Sequence, residues 1–169
     1  MIREWRRVSH RERDIVTPYL TSAPVKIAAI ARALGVEVRS ATLKPRISGE
    51  LKKSETSESG YRIRVNRHEA PVRQRFTIAH EVGHFLLHRD LIGDGIEDNI
   101  LYRSSLSNQI EIEANRMAAE LLMPRGLILP YVEQCGGRIS DDLVLRLSED
   151  FEVSEAAMRI RVGMYSGGE

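Results

Sequence analysis

Residues 75–88 read Arg-Phe-Thr-Ile-Ala-His-Glu-Val-Gly-His-Phe-Leu-Leu-His, and the spacing within this run decides the fold. Pro71 stands just ahead of it and suits a first helical turn, so the sequence predicts one helix from 71 to about 88. At ~100° per residue, Ile78, Ala79, Val82, Phe85 and Leu86 gather on one side. His80 and His84 fall on roughly the opposite side. The helix already has an aliphatic core face, which leaves the histidine pair to line a cleft. Residues four apart are neighbours on one helix face. The two imidazoles therefore converge on one ion, with Zn–N distances of ~2.0–2.1 Å expected. Gly83 sits mid-helix at a cost of about 1 kcal/mol against Ala, which a close neighbour packed there would explain.

Glu81 lies beside the histidine face. It reaches a water activated at the ion without being a ligand, and takes its proton as the water attacks a carbonyl. His-Glu-x-x-His on a helix is the zincin arrangement. A catalytic zinc also needs a third protein ligand and an open position. No third histidine stands at metzincin spacing, and the candidates are Glu111 and Glu113. They lie early in a second long helix, in which Ile110, Ala114, Met117, Ala118, Leu121 and Leu122 recur at helical spacing before Pro124 stops it. Both glutamates flank that apolar stripe, one on each side, and periodicity does not choose between them. A solvated glutamate complementing the helix dipole accounts equally for either. Asn108 with Glu111 resembles a capping box, which occupies Glu111 and leaves Glu113 freer to be a ligand.

Around this pair of helices the chain reads as a single α+β domain. A short helix is expected over 24–34, with strands over 36–43, 47–53 and 61–66 and a polar turn over 54–60. Short helices are expected over 127–134 and 141–149. Ser154 caps a last helix ending near residue 164. The 169 residues carry a net charge of +1, which gives no global field toward DNA or an anionic membrane. No stretch approaches the roughly 20 apolar residues of a membrane span. The first residues, rich in Arg and Glu, lack the apolar segment of a secretory signal. Cys135 is the single cysteine and suits a reducing compartment, so the cytoplasm is the expected location.

The run from Arg75 to His88, followed by Glu113-Ala-Asn-Arg-Met-Ala-Ala-Glu-Leu-Leu-Met-Pro124, closely resembles the ImmA/IrrE family of metallopeptidases. Residues 31–36, Ser48-Gly-Glu-Leu and Ile63-Arg-Val-Asn66 match the family's lead-in. The resemblance covers 25–131 well and the tail loosely, with Met117 where a Phe is common. It implies a zincin-like domain with a gluzincin-like site in which Glu113 is the third ligand beside His80 and His84. It implies a protein substrate, a helix-turn-helix repressor of a phage-like, mobile-element or stress regulon, whose cleavage releases transcription. The cofactor expected is one Zn2+, although the His/His/Glu set also suits Mn, Fe or Co. The corresponding division is an N-terminal arm or helix over 1–23, the peptidase domain over 24–135 and a small helical part over 136–169.

Other residues carry further expectations. The strand over 61–67 either forms a sheet edge that takes up an extended peptide or is a plain internal strand. His88 either orients a ligand or is a surface histidine. Tyr102 is a candidate oxyanion donor against an ordinary loop tyrosine. Arg73 falls on the His80/His84 face, as a contact to substrate or to an acid. The tail has a helix-turn-helix pattern with Arg159 and Arg161. Two basic residues attract phosphate weakly, so packing on the domain or a protein contact is expected rather than DNA binding. The N-terminal residues read as a solvated arm or helix. Two alternatives stay in view: a DNA-binding regulator with a structural metal, and a metal-bound partner that holds a repressor without cutting it.

Overall fold

The computed structural model describes residues 2–91 and 105–165, with side chains from 108 in the second stretch. Tyr102 lies outside the described residues. After a 3-10 turn at Arg3–Arg7 come α1 (His10–Val16), a second 3-10 turn (Thr17–Thr21) and α2 (Ile27–Ala33). The strands are β1 (Glu37–Ala41), β2 (Gly49–Lys53) and β3 (Tyr61–Asn66). Then follow α3 (Pro71–His88), α4 (Ser105–Leu122), α5 (Arg125–Gln134), α6 (Asp141–Phe151) and α7 (Glu155–Gly163). The α+β class and the small sheet are as the sequence implied.

The sheet order is β1-β3-β2, with β1 parallel and β2 antiparallel to β3. Leu51, Ile63 and Val65 alternate inward and are buried. Tyr61–Asn66 is thus the central strand, not an edge. Of the strands described, β2 is the outer one nearer α3. Gly49 at its start lets it come that close: a Cβ there would lie 2.3 Å from Thr77 Cγ2.

Two long helices form the framework of the site. The apolar face of α3 is buried, Ala79 and Val82 completely, and a side chain the size of Val82 or Leu86 contributes about 1.5–3 kcal/mol by leaving water. Its opposite side is covered by α4. Gly83 is the closest point: a Cβ on it would meet the Ala114 carbonyl oxygen at 3.0 Å and Met117 Cβ at 3.3 Å. The missing side chain, not local flexibility, is what this glycine supplies.

Three expectations are corrected here. The N-terminal residues are helical but not solvated, because Trp5, Val8 and Val16 join the core and Glu4 and Glu12 are buried. The apolar positions lie too far apart in this charged stretch to show a period. Arg116 pairs with Glu4, and Arg89 with Glu12, pinning the segment to α4 and to the turn that follows α3. α4 begins at Ser105, so Asn108 and Glu111 lie inside it and form no capping box. α2 begins at Ile27, so Pro24 precedes it.

α6 and α7 pack as a helix pair whose turn passes through Glu152 in the left-handed conformation (φ 51°). Ser140 and Ser154 cap them through the amides of Leu143 and Ala157. Arg75 of α3 holds the turn, donating to the carbonyls of Glu152 and Phe151 and to that of Val25. Arg161 is buried, donates to the Met123 carbonyl at 2.9 Å and pairs with Glu120. Arg159 pairs with Asp141. Arg159 and Arg161, the two basic residues of the last helix, are engaged within the protein.

Candidate metal centre

His80, Glu81, His84 and His88 all project from α3, and Glu111, Glu113 and Asn115 from α4. The 3.6-residue turn stacks the two histidines of the motif, so their Nε2 atoms lie 2.9 Å apart. Glu111 spans the pair. One carboxylate oxygen is 3.2 Å from His80 Nε2, and the other is 3.2 Å from His84 Nε2. Ligand atoms ~2.0–2.1 Å from a tetrahedral ion are roughly 3.3 Å from each other. The three donors therefore already have the spacing of a coordination sphere.

The hydrogen bonds behind them fix the tautomers. His80 Nδ1 is 3.0 Å from Asn115 Oδ1, which only accepts, so Nδ1 carries the proton and Nε2 presents a lone pair. His84 Nδ1 is 3.2 Å from His88 Nδ1. With His84 Nε2 also turned toward Glu111, three Lewis-basic atoms face one point. That donor set fits a divalent cation.

The electrostatics agree with this. Burial works against ionisation of Glu111, but its contacts with the His80 and His84 rings outweigh it and hold its carboxyl far below the usual range. Burial also pushes His84 below the ordinary imidazole value, keeping it neutral and so a competent ligand.

Glu113, which the resemblance implied as third ligand, points elsewhere. It accepts from His88 Nε2 at 3.1 Å, from Gln109 at 2.8 Å and from Arg7. Burial is outweighed here too, and the carboxyl is held at about 2. The two glutamates sit on opposite flanks of α4, and the flank facing the histidine pair is that of Glu111. His88 is buried at 1% exposure rather than at the surface. Asn115 and Arg7 were missed by sequence reasoning. Asn115 had a signal, because it stands one turn after Glu111 on the same face. Arg7 had none.

Glu81 is buried and lines an open cleft of about 420 Å³, together with Ser48, Gly49, Arg73, Thr77, His80 and Glu111. Its carboxylate lies against Gly49, placing it between the catalytic helix and the start of β2. Arg73 lines the cleft as expected and lies 3.9 Å from Glu69. The cleft runs on, through Arg73, Phe76 and Asn115, into an apolar groove of about 530 Å³ between α3, α4 and α7. Six large apolar side chains are exposed among the described residues, and four of them line this groove: Val72, Ile112, Ile160 and Met164.

Comparison with known proteins relates the chain to a peptidase family and to a metalloprotease. The sequence profile of the IrrE N-terminal-like domain, a peptidase family, matches residues 31–162. The radiation response metalloprotease IrrE of Deinococcus radiodurans is 40% identical over 89 residues, which is 50% of this chain and 26% of that protein. The chain thus aligns with about a quarter of the relative's length. No helix described is long and apolar enough to cross a membrane.

Proposed function

The chain belongs to the IrrE N-terminal-like peptidase family, and from that premise we propose that it is a metal-dependent endopeptidase acting through the cleft between α3, α4 and β2. The metallo-endopeptidase class is the one the family describes. The single observation that carries the site assignment is the convergence of His80, His84 and Glu111, whose donor atoms all lie within 4.8 Å of one another.

In this reading His80, His84 and Glu111 hold one zinc ion. When bound, the ion polarises the scissile carbonyl and makes a water acidic enough to attack near neutral pH. Asn115 keeps the Nε2 lone pair of His80 directed inward. Glu81 accepts the proton of the attacking water and delivers it to the leaving amine, so one carboxylate serves as base and then as acid. Its burial against Gly49 limits its motion and keeps it beside the histidine pair. Among the described residues no strand lies on the outer side of β2, and its edge offers backbone groups along which an extended peptide can lie. The apolar groove continuing from the cleft takes side chains flanking the cut.

The substrate is a protein, and a helix-turn-helix repressor is the proposed one; the location proposed is the cytoplasm. The peptidase core over 24–135, with an N-terminal element and a C-terminal helical part, is the proposed division. The test is a census of new protein N-termini in host cells expressing wild type or Glu81→Gln. One or a few termini seen only with wild type would name the substrate and its cut. None, with both proteins metal-loaded under inducing conditions, would remove the proteolytic reading and leave a metal-bound binding partner.

A further inference from the structure

His88 and Glu113 lie outside the proposed coordination sphere, yet they are joined to it by an unbroken series of contacts. His84 Nδ1 meets His88 Nδ1 at 3.2 Å. His88 Nε2 meets a Glu113 carboxylate oxygen at 3.1 Å. Glu113 is itself held by Gln109 one turn away and by Arg7 from the N-terminal segment. Arg7 is fixed in turn by the Leu87 carbonyl of α3, 3.3 Å away.

A buried histidine needs partners for both ring nitrogens whatever its role. This series differs because its two ends dictate the same proton placement. From the carboxylate end, Glu113 only accepts, so His88 carries its proton on Nε2 and presents a lone pair at Nδ1. From the cleft end, His84 can offer a lone pair at Nε2 only if its proton is on Nδ1. That proton points at the His88 lone pair. One arrangement satisfies every nitrogen, and it leaves His84 as a ligand.

We propose that His88 and Glu113, anchored by Arg7, form a positioning relay that fixes the tautomer and ring orientation of His84 for metal binding. Ligand histidines elsewhere pass their second N–H to a carboxylate or carbonyl directly, and such outer partners carry 10–100-fold in metal affinity. Here a second imidazole extends that contact by one residue and carries it to the N-terminal segment. Trp5 and Val8, buried on either side of Arg7, dock that segment against the domain. The N-terminal segment thereby belongs to the metal centre's support and is more than a cover for the core.

This inference rests on His84 being a ligand, and the experiment separates the two. Zinc affinity is measured against a chromophoric chelator for wild type, His84→Ala, His88→Leu, Glu113→Ala and the His88→Leu/Glu113→Ala double variant. Visible absorption of the Co2+-loaded proteins and thermal unfolding of the metal-free proteins are recorded beside it. The relay predicts a roughly 10–100-fold loss for each outer variant and a shifted Co2+ spectrum. The double variant should lose no more than His88→Leu alone, since the links act in series. Glu113 is less buried than His88, so Glu113→Ala keeps the test alive if His88→Leu does not fold. Unchanged affinity and spectrum in Glu113→Ala would overturn the relay, even if metal-free stability fell. Additive losses in the double variant would overturn it as well. Wild-type affinity in His84→Ala would instead overturn the metal-site reading, and the relay with it.

Discussion

Replacing Gly83 with Ala gives a sharp test of how α3 and α4 support the site. In an exposed helix this change stabilises by about 1 kcal/mol through propensity alone. Here the new Cβ would meet the Ala114 carbonyl oxygen at 3.0 Å, Ala114 Cα at 3.3 Å and Met117 Cβ at 3.3 Å. Ordinary contact begins near 3.4 Å, so the helices must part by about 0.4 Å at this point. None of the three atoms is the end of a flexible side chain. Two are backbone, and Met117 is fully buried. Overpacking of this kind costs about 1–3 kcal/mol, which exceeds the propensity gain and leaves a net loss of about 1 kcal/mol. For a domain of this size that lowers Tm by roughly 2–4 °C. The effect on metal binding is the more specific signature. His80 and His84 ride on α3 and Glu111 on α4, whereas ligand distances tolerate about ±0.2 Å. A separation of 0.4 Å should therefore weaken zinc binding by more than the stability loss accounts for. Calorimetry of the metal-free protein and chelator competition measure the two effects separately. A higher Tm with wild-type zinc affinity would refute the claim that this contact sets the α3–α4 distance.

Glu111→Gln should abolish tight zinc binding, whereas Glu113→Gln should stay within the 10–100-fold range of an outer partner; metal titration of both variants decides which glutamate is the ligand. Adding EDTA to zinc-loaded protein should lower Tm by on the order of 10 °C, since a free ligand a thousandfold above its Kd stabilises by about 4 kcal/mol. Acid should destabilise the protein through Glu4 and Glu12. Burial opposes their ionisation, but for Glu4 its own backbone with Arg3 and Arg116, and for Glu12 Ser9 with Arg89, outweigh it and lower both carboxyls. Their stabilisation is complete above the ordinary carboxylate range and is lost as pH falls through the lower folded-state values. Urea unfolding over roughly pH 6 to 3 should show this slope, and Glu12→Gln should flatten it. Ile160→Asp, at a 65% exposed position, should change stability by no more than about 0.5 kcal/mol yet slow cleavage of the substrate identified in cells.

Much of the site was readable because helical periodicity acts over short range. Four-residue spacing placed His80 and His84 together, and the wheel separated them from the core face of Val82 and Phe85. Choosing between Glu111 and Glu113 required knowing where α4 begins. Asn108 with Glu111 imitates a capping box, while the helix starts three residues earlier and turns Glu111 toward α3. Helix boundaries depend on weak local energies that several polar residues satisfy equally well, so the pattern pointed to Glu113. The resemblance then reinforced it. The internal place of Tyr61–Asn66 depends on pairing with two distant strands, which alternation within one strand does not encode. Arg7 reaches Glu113 across 106 residues of chain, and no local pattern announces such a contact.

Anomalous diffraction at the zinc edge, on crystals of the zinc-loaded protein, locates the ion itself. One peak is expected within ~2.0–2.2 Å of His80 Nε2, His84 Nε2 and a Glu111 oxygen, with a fourth position open to the cleft beside Glu81. A peak bound by Glu113 or His88 in place of Glu111, or closed by a fourth protein ligand, would contradict it. A closed site would make the metal structural, and the hydrolytic role assigned to Glu81 would fall with it.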